Sequence, residues 1–482
     1  MAAEPPQSRI GKDEWVAEHE ERLDRGRRRA ALERRWQRVP AAARLAIVVV
    51  PAAVFPLFVS SDYVMQVATV TAIYALLALG LNVVVGFAGL LDLGYVAFYG
   101  FGAYAYALLS SDQFGVHWPA LVTVPLIVAG TALLGFLLGL PSRRLLGDYL
   151  AIVTLFFGTI FVVLVTNANR ITPPGREKPL DITGGPNGIA GIDQFDLVLF
   201  KVQTVSQHFY LALGAFTIVI SGLYLLNDSR VGRAWRALRE DPLAAELMGM
   251  PVNRLKLLAF MFGAGVAGLT GTIFAPLQNG VFPSNFDLAL LITVYAMVIL
   301  GGAGSIGGVV VGAVAINIVL EVLRTPEKSR LVFYALMLAA LVSWLRPWWL
   351  LAGVLAGTAA FGFGVHALAT AAWPTQTSGA PSRSGWIGDA IDGWTVLLSN
   401  PKALGNAGYG LLLVSICLLT LVRGRWRAVG LVPVLYLASF VWENRLVVEP
   451  SVTRLILLGA LLVALMNVRP QGLLGSSRVE IV

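Results

Sequence analysis

The stretch YVMQVATVTAIYALLALGLNVVV, residues 63–85, is predominantly apolar and carries no charged side chain. A helix needs roughly 20 such residues to cross the hydrocarbon core of a bilayer. A transmembrane strand would instead show about ten residues of alternating polarity, whereas here the apolar residues are continuous. The stretch therefore predicts a transmembrane α-helix.

Comparable windows recur along the whole chain. The stronger windows are residues 63–85, 121–140, 149–165, 209–226, 257–274, 288–301, 309–322, 331–344 and 455–466. The weaker windows are residues 43–60, 92–110, 349–371, 407–422 and 428–442. We therefore predict an all-α polytopic membrane protein with about 14 transmembrane helices, of which about ten form a core and the rest an insert.

The composition excludes a soluble globular chain. Of the 482 residues, 57% are hydrophobic and only 13% are charged, whereas soluble domains carry about 25% charged residues. The missing charge falls in the long apolar windows. Most of the chain must therefore lie in lipid.

The first 42 residues form a basic amphipathic segment without an apolar core, so they do not read as a cleaved signal peptide. Arginines such as Arg28 and Arg34 suggest nucleic-acid binding or a positive-inside anchor, and we favour the anchor because a span follows. We expect no nucleic-acid partner. With the N-terminus in the cytoplasm, the alternating spans place most Lys and Arg residues on the cytoplasmic side.

Four regions follow from this topology. Residues 1–42 form the cytoplasmic N-terminal segment, and residues 43–346 form the transmembrane core. Residues 347–452 form an extra transmembrane insert with an external loop at about 372–404, and residues 453–482 form a final helix and a cytoplasmic tail. The runs 329–347 and 453–470 resemble each other, which indicates a partial duplication.

A long polar loop at residues 228–256 interrupts the apolar pattern. Asp241 is suited to cap a helix, Pro242 to its first position and Gly249 to its end. We expect one short cytoplasmic helix here. It is either an amphipathic surface helix without a partner or the docking point of another subunit.

The loop sequence identifies a family. GRAWRALRED, residues 232–241, and AAELMG, residues 244–249, resemble the coupling loop of ABC importer permeases, and most closely the branched-chain amino-acid branch. In that family the small residues seat a short helix in a groove of the ATPase. The resemblance implies these coupling residues: Gly232, Arg233, Arg236, Ala237, Arg239, Glu240, Asp241, Ala244, Ala245 and Gly249.

Further motifs resemble the same family in the same order along the chain. They are residues 79–89, 93–104, 147–158, 182–188, 300–308 and 469–475. Together the resemblance covers residues 43–345 and 453–476. Thr159 departs from the family pattern, in which we expect a glutamate.

Glycines and isolated polar residues in apolar surroundings give candidates for the substrate path. They are Asn82, Gly86, Gly89, Asp92, Gly94, Thr154, Gly184 and Gly185. By analogy with secondary transporters, the glycines permit broken helices near the midplane, although they equally suit close helix packing. Asp92 is either a site inside the membrane or a residue at a helix end.

The resemblance implies a permease that is not itself an enzyme. Two cytoplasmic ABC ATPases hydrolyse ATP-Mg, while this chain binds no cofactor and no metal. A sister permease subunit and an extracytoplasmic amino-acid-binding protein complete the system. Alternatives are a permease for urea or short amides, a channel, which needs no coupling helix, and a lipid-facing enzyme, for which no residue cluster is evident.

Overall fold

The structure of the chain is a computed structural model. It describes residues 41–142, 148–171, 180–196, 201–345, 348–377, 393–399, 401–422, 426–446, 455–456, 459–460, 463 and 472–474. Three predictions therefore lie largely outside the described residues. They concern the N-terminal segment 1–42, the centre of the loop 372–404 and the final segment 453–482.

Fifteen helices are described here, numbered in chain order. The first eight are α1 Ala41–Phe58, α2 Asp62–Leu81, α3 Tyr95–Leu109, α4 Ala120–Ser142, α5 Asp148–Asn167, α6 Val205–Asp228, α7 Arg230–Glu240 and α8 Pro242–Leu247. The remainder are α9 Val252–Gln278, α10 Leu288–Gly301, α11 Ile306–Val322, α12 Pro326–Trp344, α13 Trp348–Ala372, α14 Pro401–Leu421 and α15 Trp426–Val441. Every predicted apolar window except 455–466 coincides with one of these helices.

Only one strand pair is present among the described residues. β1 (Ile189–Ala190) pairs antiparallel with β2 (Gly280–Val281). Single 3₁₀ turns occur at Gly185–Asn187 and Pro283–Phe286. The chain is therefore an all-α polytopic membrane protein, as predicted.

Within the described residues, seven helices, some with their flanking turns, are long and apolar enough to cross a membrane. They are Asp62–Phe87, Ala120–Pro141, Tyr149–Asn167, Val205–Asp228, Val252–Gln278, Pro283–Gly301 and Trp348–Ala372. Four shorter apolar helices lie in α1, α3, α11 and α14. The predicted total of about 14 crossings stays a prediction.

The described residues divide into two compact units. The first contains those up to Val314 together with those after Leu465, and the second contains those between Ala315 and Ala464. This division falls inside α11. The predicted region boundary at residue 346 stays a prediction.

The core of the first unit is built on α2 and α9. Helix α9 packs closely against α3 and α4, and α2 packs against α6 and α9. Close approach depends on glycine: a Cβ on Gly102 would collide with the backbone of Gly268, and one on Gly271 would collide with the Tyr99 carbonyl. Small residues at such crossings are typical of membrane helix packing.

The turns of the first unit gather at two opposite ends. Hydrogen bonds join residues 82–94, α7, residues 302–305 and residues 472–474 into what we call the α7 end. Residues 110–118, 180–196 and 279–287 are joined in the same way into the β1 end. Helix α9 runs from the first to the second, and its 27 residues span about 40 Å.

Helix α2 changes its winding before it ends. Residues Asn82–Phe87 continue it as a π-helix, and the Ala88 N–H bonds the Val83 carbonyl at 3.2 Å. Residues 88–94 are then non-helical until α3 begins at Tyr95. The predicted window 92–110 therefore begins with a non-helical turn.

The second unit holds a buried ion pair. Arg330 Nε lies 3.1 Å from Glu443 Oε1 with both side chains buried, and the Tyr334 hydroxyl donates to the same carboxylate at 3.2 Å. Asn444 bonds the backbone of Val396 and Leu398. Breaking such a pair leaves a buried charge uncompensated, which typically costs about 3–5 kcal/mol.

Candidate functional site

Helix α7 is an amphipathic helix that lies against the bundle. Ser229 caps it by accepting a hydrogen bond from the Gly232 N–H at 3.2 Å. Gly232, Trp235 and Leu238 are buried at a spacing of three residues, so they share one face. The Trp235 indole donates to the Leu255 carbonyl at 2.9 Å, which ties α7 to the start of α9.

The other face of α7 is open to solvent. Arg233, Arg236 and Glu240 are exposed, and Ala237 is half-buried. Arg233 bonds the Asp228 carbonyl at 2.7 Å and Arg236 bonds the Asn227 carbonyl at 3.2 Å. Among the described residues, these two arginines thus bond backbone at the end of α6.

The predicted capping of the next helix is confirmed. Asp241 Oδ1 accepts hydrogen bonds from the Leu243 and Ala244 N–H groups at 2.9 and 3.0 Å, and Pro242 occupies the first helical turn. Gly249 lies just past the end with φ +81°, a conformation that suits glycine. The expectation of one helix was incomplete, because the residues before Asp241 form α7.

Helix α8 exposes bulky apolar side chains. Leu243, Leu247 and Met248 are 66%, 80% and 83% exposed, and we call these three residues the α8 patch. Ala244 is also exposed, whereas Ala245 is buried within the chain. The small Ala245 thus lets α8 lie close to its own protein, and the exposed surface is larger and more apolar than the family motif suggested.

Arg239 is turned inward from α7 and joins two other segments. Its Nη1 donates to the Gly86 carbonyl and, at 3.3 Å, to the Ala303 carbonyl. Gly89, with φ +70°, packs against the Arg239 side chain. The predicted coupling residues and two of the predicted path glycines therefore meet at the α7 end.

Asn82 reinforces the same junction. Its Oδ1 accepts a hydrogen bond from the Gly304 N–H at 2.8 Å. The turn after α10 is also held by Leu473 and Leu474, whose N–H groups bond the Leu300 and Gly301 carbonyls at 2.7 and 3.1 Å. Three separate parts of the chain, namely α7, residue 82 and residues 473–474, therefore converge on residues 300–304.

Asp92, Gly94 and Thr154 form a neighbouring cluster. Asp92 Oδ1 accepts from the Gly94 N–H at 2.9 Å, and Thr154 Oγ1 accepts from the Leu93 N–H at 2.9 Å. The Tyr295 hydroxyl donates to the Asp92 carbonyl at 2.7 Å. Asp92 Oδ2 is buried without a hydrogen-bond partner among the described residues, so one lone polar atom remains in this cluster.

A groove of about 190 Å³ lies beside this cluster. Gly94, Thr159 and Asp287 supply its polar edge, and the rest is apolar. Thr159, the residue that departs from the family pattern, thus lines the groove. A mostly apolar lining with a few polar groups is typical of sites for small apolar ligands.

Gly184 and Gly185 lie elsewhere, at the β1 end. Both have positive φ, and the Thr183 hydroxyl before them donates to the Val165 carbonyl at 2.6 Å. The eight predicted path residues are therefore split between the two ends. Six lie at or near the α7 end and these two lie at the other.

A histidine joins two loops of the β1 end. His117 Nδ1 lies 2.5 Å from Asp193 Oδ2, and its Nε2 lies 3.2 Å from Asp112 Oδ1. The hydrogen bond and charge of Asp193, with a smaller effect from Asp112, raise the pKa of His117 above its ordinary value. Protonated His117 thus bridges two carboxylates on an exposed surface.

Sequence reasoning missed three features of the site. The α8 patch was not predicted, because the family motif points to the small residues between its members, although Leu243 and Leu247 are visible at helical spacing. Neither Ala303 nor Tyr295 lies in a local sequence pattern that predicts a functional role. Their contacts with Arg239 and Asp92 join residues far apart in the chain, which no local pattern reveals.

The fold and the site define a multi-pass membrane protein with a helical loop projecting from one end of its bundle. The family described as branched-chain amino acid transport system / permease component matches residues 63–341. The chain belongs to this family. Its apolar helices and its relatives make it a multi-pass protein of the inner membrane.

Named relatives carry the same description. The chain is 38% identical over 326 residues to the high-affinity branched-chain amino acid transport system permease protein LivM of Escherichia coli, covering 63% of this chain and 73% of the relative. It is 25% identical over 258 residues to BraD of Pseudomonas aeruginosa, covering 52% and 81%. No solved structure matches the chain.

Proposed function

We propose that this chain is the permease subunit of an ATP-driven importer for branched-chain amino acids, and that the α8 patch docks on a cytoplasmic ATPase. The observation that carries this proposal is the patch itself. A short, capped helix outside the bundle presents Leu243, Leu247 and Met248 to solvent. Exposed apolar side chains grouped on one element are typical of protein–protein contacts.

The connection of α8 to the bundle supports a mechanical role. Helix α7 joins α8 directly to α6, and Trp235 fixes α7 to Leu255 at the start of α9. A displacement of α8 would therefore be transmitted to the long membrane helices α6 and α9 through short, rigid connections. Nucleotide-driven closure of two ATPases would use these links to open the pathway alternately to each side.

The orientation follows the same reasoning. The N-terminus lies in the cytoplasm, about 14 helices cross the membrane, and the α7 end faces the cytoplasm. Basic residues in the loop 228–256, such as Arg230 and Arg254, agree with the excess of Lys and Arg on that side. The β1 end then faces outward.

The substrate is a small apolar amino acid. The relatives LivM, LivH and BraD are named for branched-chain amino acid transport. The groove lined by Gly94, Thr159 and Asp287 is mostly apolar, which suits a leucine, isoleucine or valine side chain. The polar groups of Asp92 and Thr154 lie beside it and suit the zwitterionic end.

The remaining parts of the system follow from the family. Two cytoplasmic ABC ATPases bind and hydrolyse ATP-Mg, and this chain is not catalytic and binds no cofactor. A sister permease completes the pathway within the lipid bilayer. An extracytoplasmic amino-acid-binding protein delivers substrate at the β1 end.

The test is uptake by cells that carry the complete system and lack other leucine transporters. Radiolabelled leucine and urea are compared for the native chain, for Leu247→Asp and for Phe114→Asp, at matched membrane abundance. Phe114 is an exposed apolar residue at the β1 end, so it controls for the loss of a surface hydrophobe.

We expect ATP-dependent uptake of leucine and not of urea. Leu247→Asp should abolish most of this uptake and the co-purification of the ATPases, because a charge in a docking surface must be desolvated on binding. Phe114→Asp lies at the end where the binding protein delivers substrate, and it should leave the co-purification of the ATPases unchanged. Urea uptake would replace the substrate assignment. Normal leucine uptake by Leu247→Asp would refute the docking role of α8.

A further inference from the structure

Helix α8 alone does not explain how movement reaches the helices that line the groove. Helices α6 and α9 are the direct continuations of the α7–α8 loop. The groove is lined instead by residues of α3, α5 and α10 together with the turns before α3 and α10. Helix α9 reaches this lining mainly through its packing against α3, so a contact from the loop to α10 and to residues 82–94, which lead into α3, would be a second connection.

We propose that Arg239 is this connection: it couples the α7–α8 loop to the ends of α2 and α10, and so acts as a positioning residue for transport. This inference rests on the proposed function. Its geometric basis is one guanidinium group that bonds two carbonyls, those of Gly86 and Ala303. These carbonyls belong to two different membrane helices or the turns that follow them.

Both contacts lie at or just past the end of a helix. Gly86 belongs to the last turn of the π-helical extension of α2, and Ala303 lies in the turn two residues after Gly301, the last residue of α10. The last carbonyls of a helix have no partner within it, and the dipole makes that end negative. Arg239 therefore places one fixed positive charge at the end of α2 and beside the end of α10.

The surrounding glycines provide the space that the Arg239 side chain occupies, and any larger residue in their place would crowd it. A Cβ on Gly304, which has φ +87°, would collide with Arg239 Nη1. A Cβ on Gly89 would lie 2.9 Å from Arg239 Cγ. Asn82 then locks the same two segments to each other through the Gly304 N–H.

The neighbouring arginines show that Arg239 differs from them in position. Among the described residues, the exposed Arg233 and Arg236 bond the nearby carbonyls of Asp228 and Asn227. Arg239 reaches residues 153 and 64 positions away in the chain. Arg230 is the matched control, since it has the same charge, is exposed on the same helix and lies outside the predicted coupling residues.

The experiment measures leucine transported per ATP hydrolysed, using the complete complex reconstituted in proteoliposomes. The native chain is compared with Arg239→Gln, Arg239→Lys and Arg230→Gln. We expect Arg239→Gln to retain the ATPases and their hydrolysis but to lower the transport ratio about tenfold or more, as loss of a charge-assisted hydrogen bond implies.

The other variants sharpen the result. Arg239→Lys should recover part of the ratio, because one cation can still reach one of the two carbonyls. Arg230→Gln should remain within about twofold of the native ratio, since an exposed charge contributes little. An unchanged ratio in Arg239→Gln, or an equal loss in Arg230→Gln, would overturn the inference.

If the complex that carries Arg239→Gln does not assemble, a second pair of variants tests the same inference. Gly304→Ala places a methyl group against Arg239 without removing it, and Gly307→Ala adds the same methyl where nothing lies within 4 Å. Only Gly304→Ala should lower the ratio, and equal ratios would overturn the inference. Absence of ATP-dependent leucine transport by the native complex would instead refute the proposed function.

Discussion

The two ends of the first unit are held together by different chemistry. At the α7 end, side chains bond distant backbone: Arg239 to Gly86 and Ala303, and Asn82 to Gly304. At the β1 end, backbone bonds backbone in the β1–β2 pair and in the bridge between Ser111 and Ile192. Two side chains join α7, residues 82–94 and residues 302–305 at the first end, beside the backbone bonds of Leu473 and Leu474, whereas a backbone strand pair is the main joint at the second.

The difference indicates which end moves. A side-chain contact can break and re-form without unfolding the segments it joins, but a backbone ladder holds its strands in fixed register. The α7 end also exposes the α8 patch, where a partner would act. We therefore expect function to depend more on contacts at the α7 end and stability to depend more on contacts at the β1 end.

The largest expected difference comes from removing one side-chain hydrogen bond at each end. Asn82→Leu removes the bond to Gly304, and Thr183→Val removes the bond to the Val165 carbonyl. Each loss should cost about 1 kcal/mol of stability. Leucine uptake should fall about tenfold for Asn82→Leu and stay within about twofold for Thr183→Val, as measured at matched abundance.

The stability change for Asn82→Leu is further reduced by a second effect. Asn82 Nδ2 is buried without a partner among the described residues, so replacing it removes an unsatisfied donor. A large loss of uptake with a small change in melting temperature would thus support the assignment of movement to the α7 end. Equal uptake by both variants would remove the distinction between the ends.

A smaller effect is expected from crowding the ladder at the β1 end. Gly188 has φ +64° and an added Cβ would collide with the Val281 carbonyl, whereas Gly191 has φ +71° and open space around it. Gly191→Ala should cost only the backbone strain, about 1–2 kcal/mol. Gly188→Ala should cost more, because β1 and β2 must also separate.

Thermal unfolding in detergent measures this pair. Both variants carry the same added methyl group at a positive φ, so the difference between them combines the strand contact with the extra backbone strain at Gly188, whose ψ is −167°. If the two melting temperatures coincide, the ladder does not stabilise this end, and the contrast with the α7 end rests on function alone.

The smallest effect is a pH dependence at the β1 end. Because Asp193 raises the pKa of His117, protonation is favoured in the folded state. The stabilisation is fully present below the ordinary pKa of histidine, about 6.5, and is lost as the pH rises through the raised value. His117→Asn should remove this dependence.

Melting temperatures check this expectation. They are recorded for the native chain and for His117→Asn at a series of pH values from about 5.5 to about 9, a range that brackets the ordinary histidine pKa. The difference between them should shrink as the pH rises. A difference that is constant across this range would show that the bridge to Asp112 and Asp193 does not respond to protonation.

The sequence revealed the helices because lipid demands a strong local signal. Apolar windows such as 121–140 and 257–274 predicted α4 and α9 to within a few residues, since a span must be apolar along its full length. The cap of α8 was equally local, as Asp241, Pro242 and Gly249 lie within one short segment.

What the sequence did not reveal depends on distance along the chain. The change from α-helix to π-helix begins at Asn82, whose side chain bonds Gly304, a residue 222 positions later in the chain. We expected Gly86 and Gly89 to open a helix for substrate, separately from the coupling residues. The structure instead brings both against Arg239, because the turns of an alternating bundle meet at a shared end.

The most direct measurement of the central claim is site-specific crosslinking in the complete complex. The native Cys417 is first replaced by serine, and a single cysteine is then placed at position 247 in one variant and at position 114 in another. A crosslinker of short span is added to membranes. Leu247 and Phe114 are both exposed and lie at opposite ends of the first unit.

We predict that Leu247→Cys forms a crosslink to a cytoplasmic ATPase subunit and that Phe114→Cys does not. This result would establish both the orientation of the α7 end and the docking role of the α8 patch. A crosslink from Phe114→Cys to the ATPase, or none from Leu247→Cys in an actively transporting complex, would contradict the proposed function.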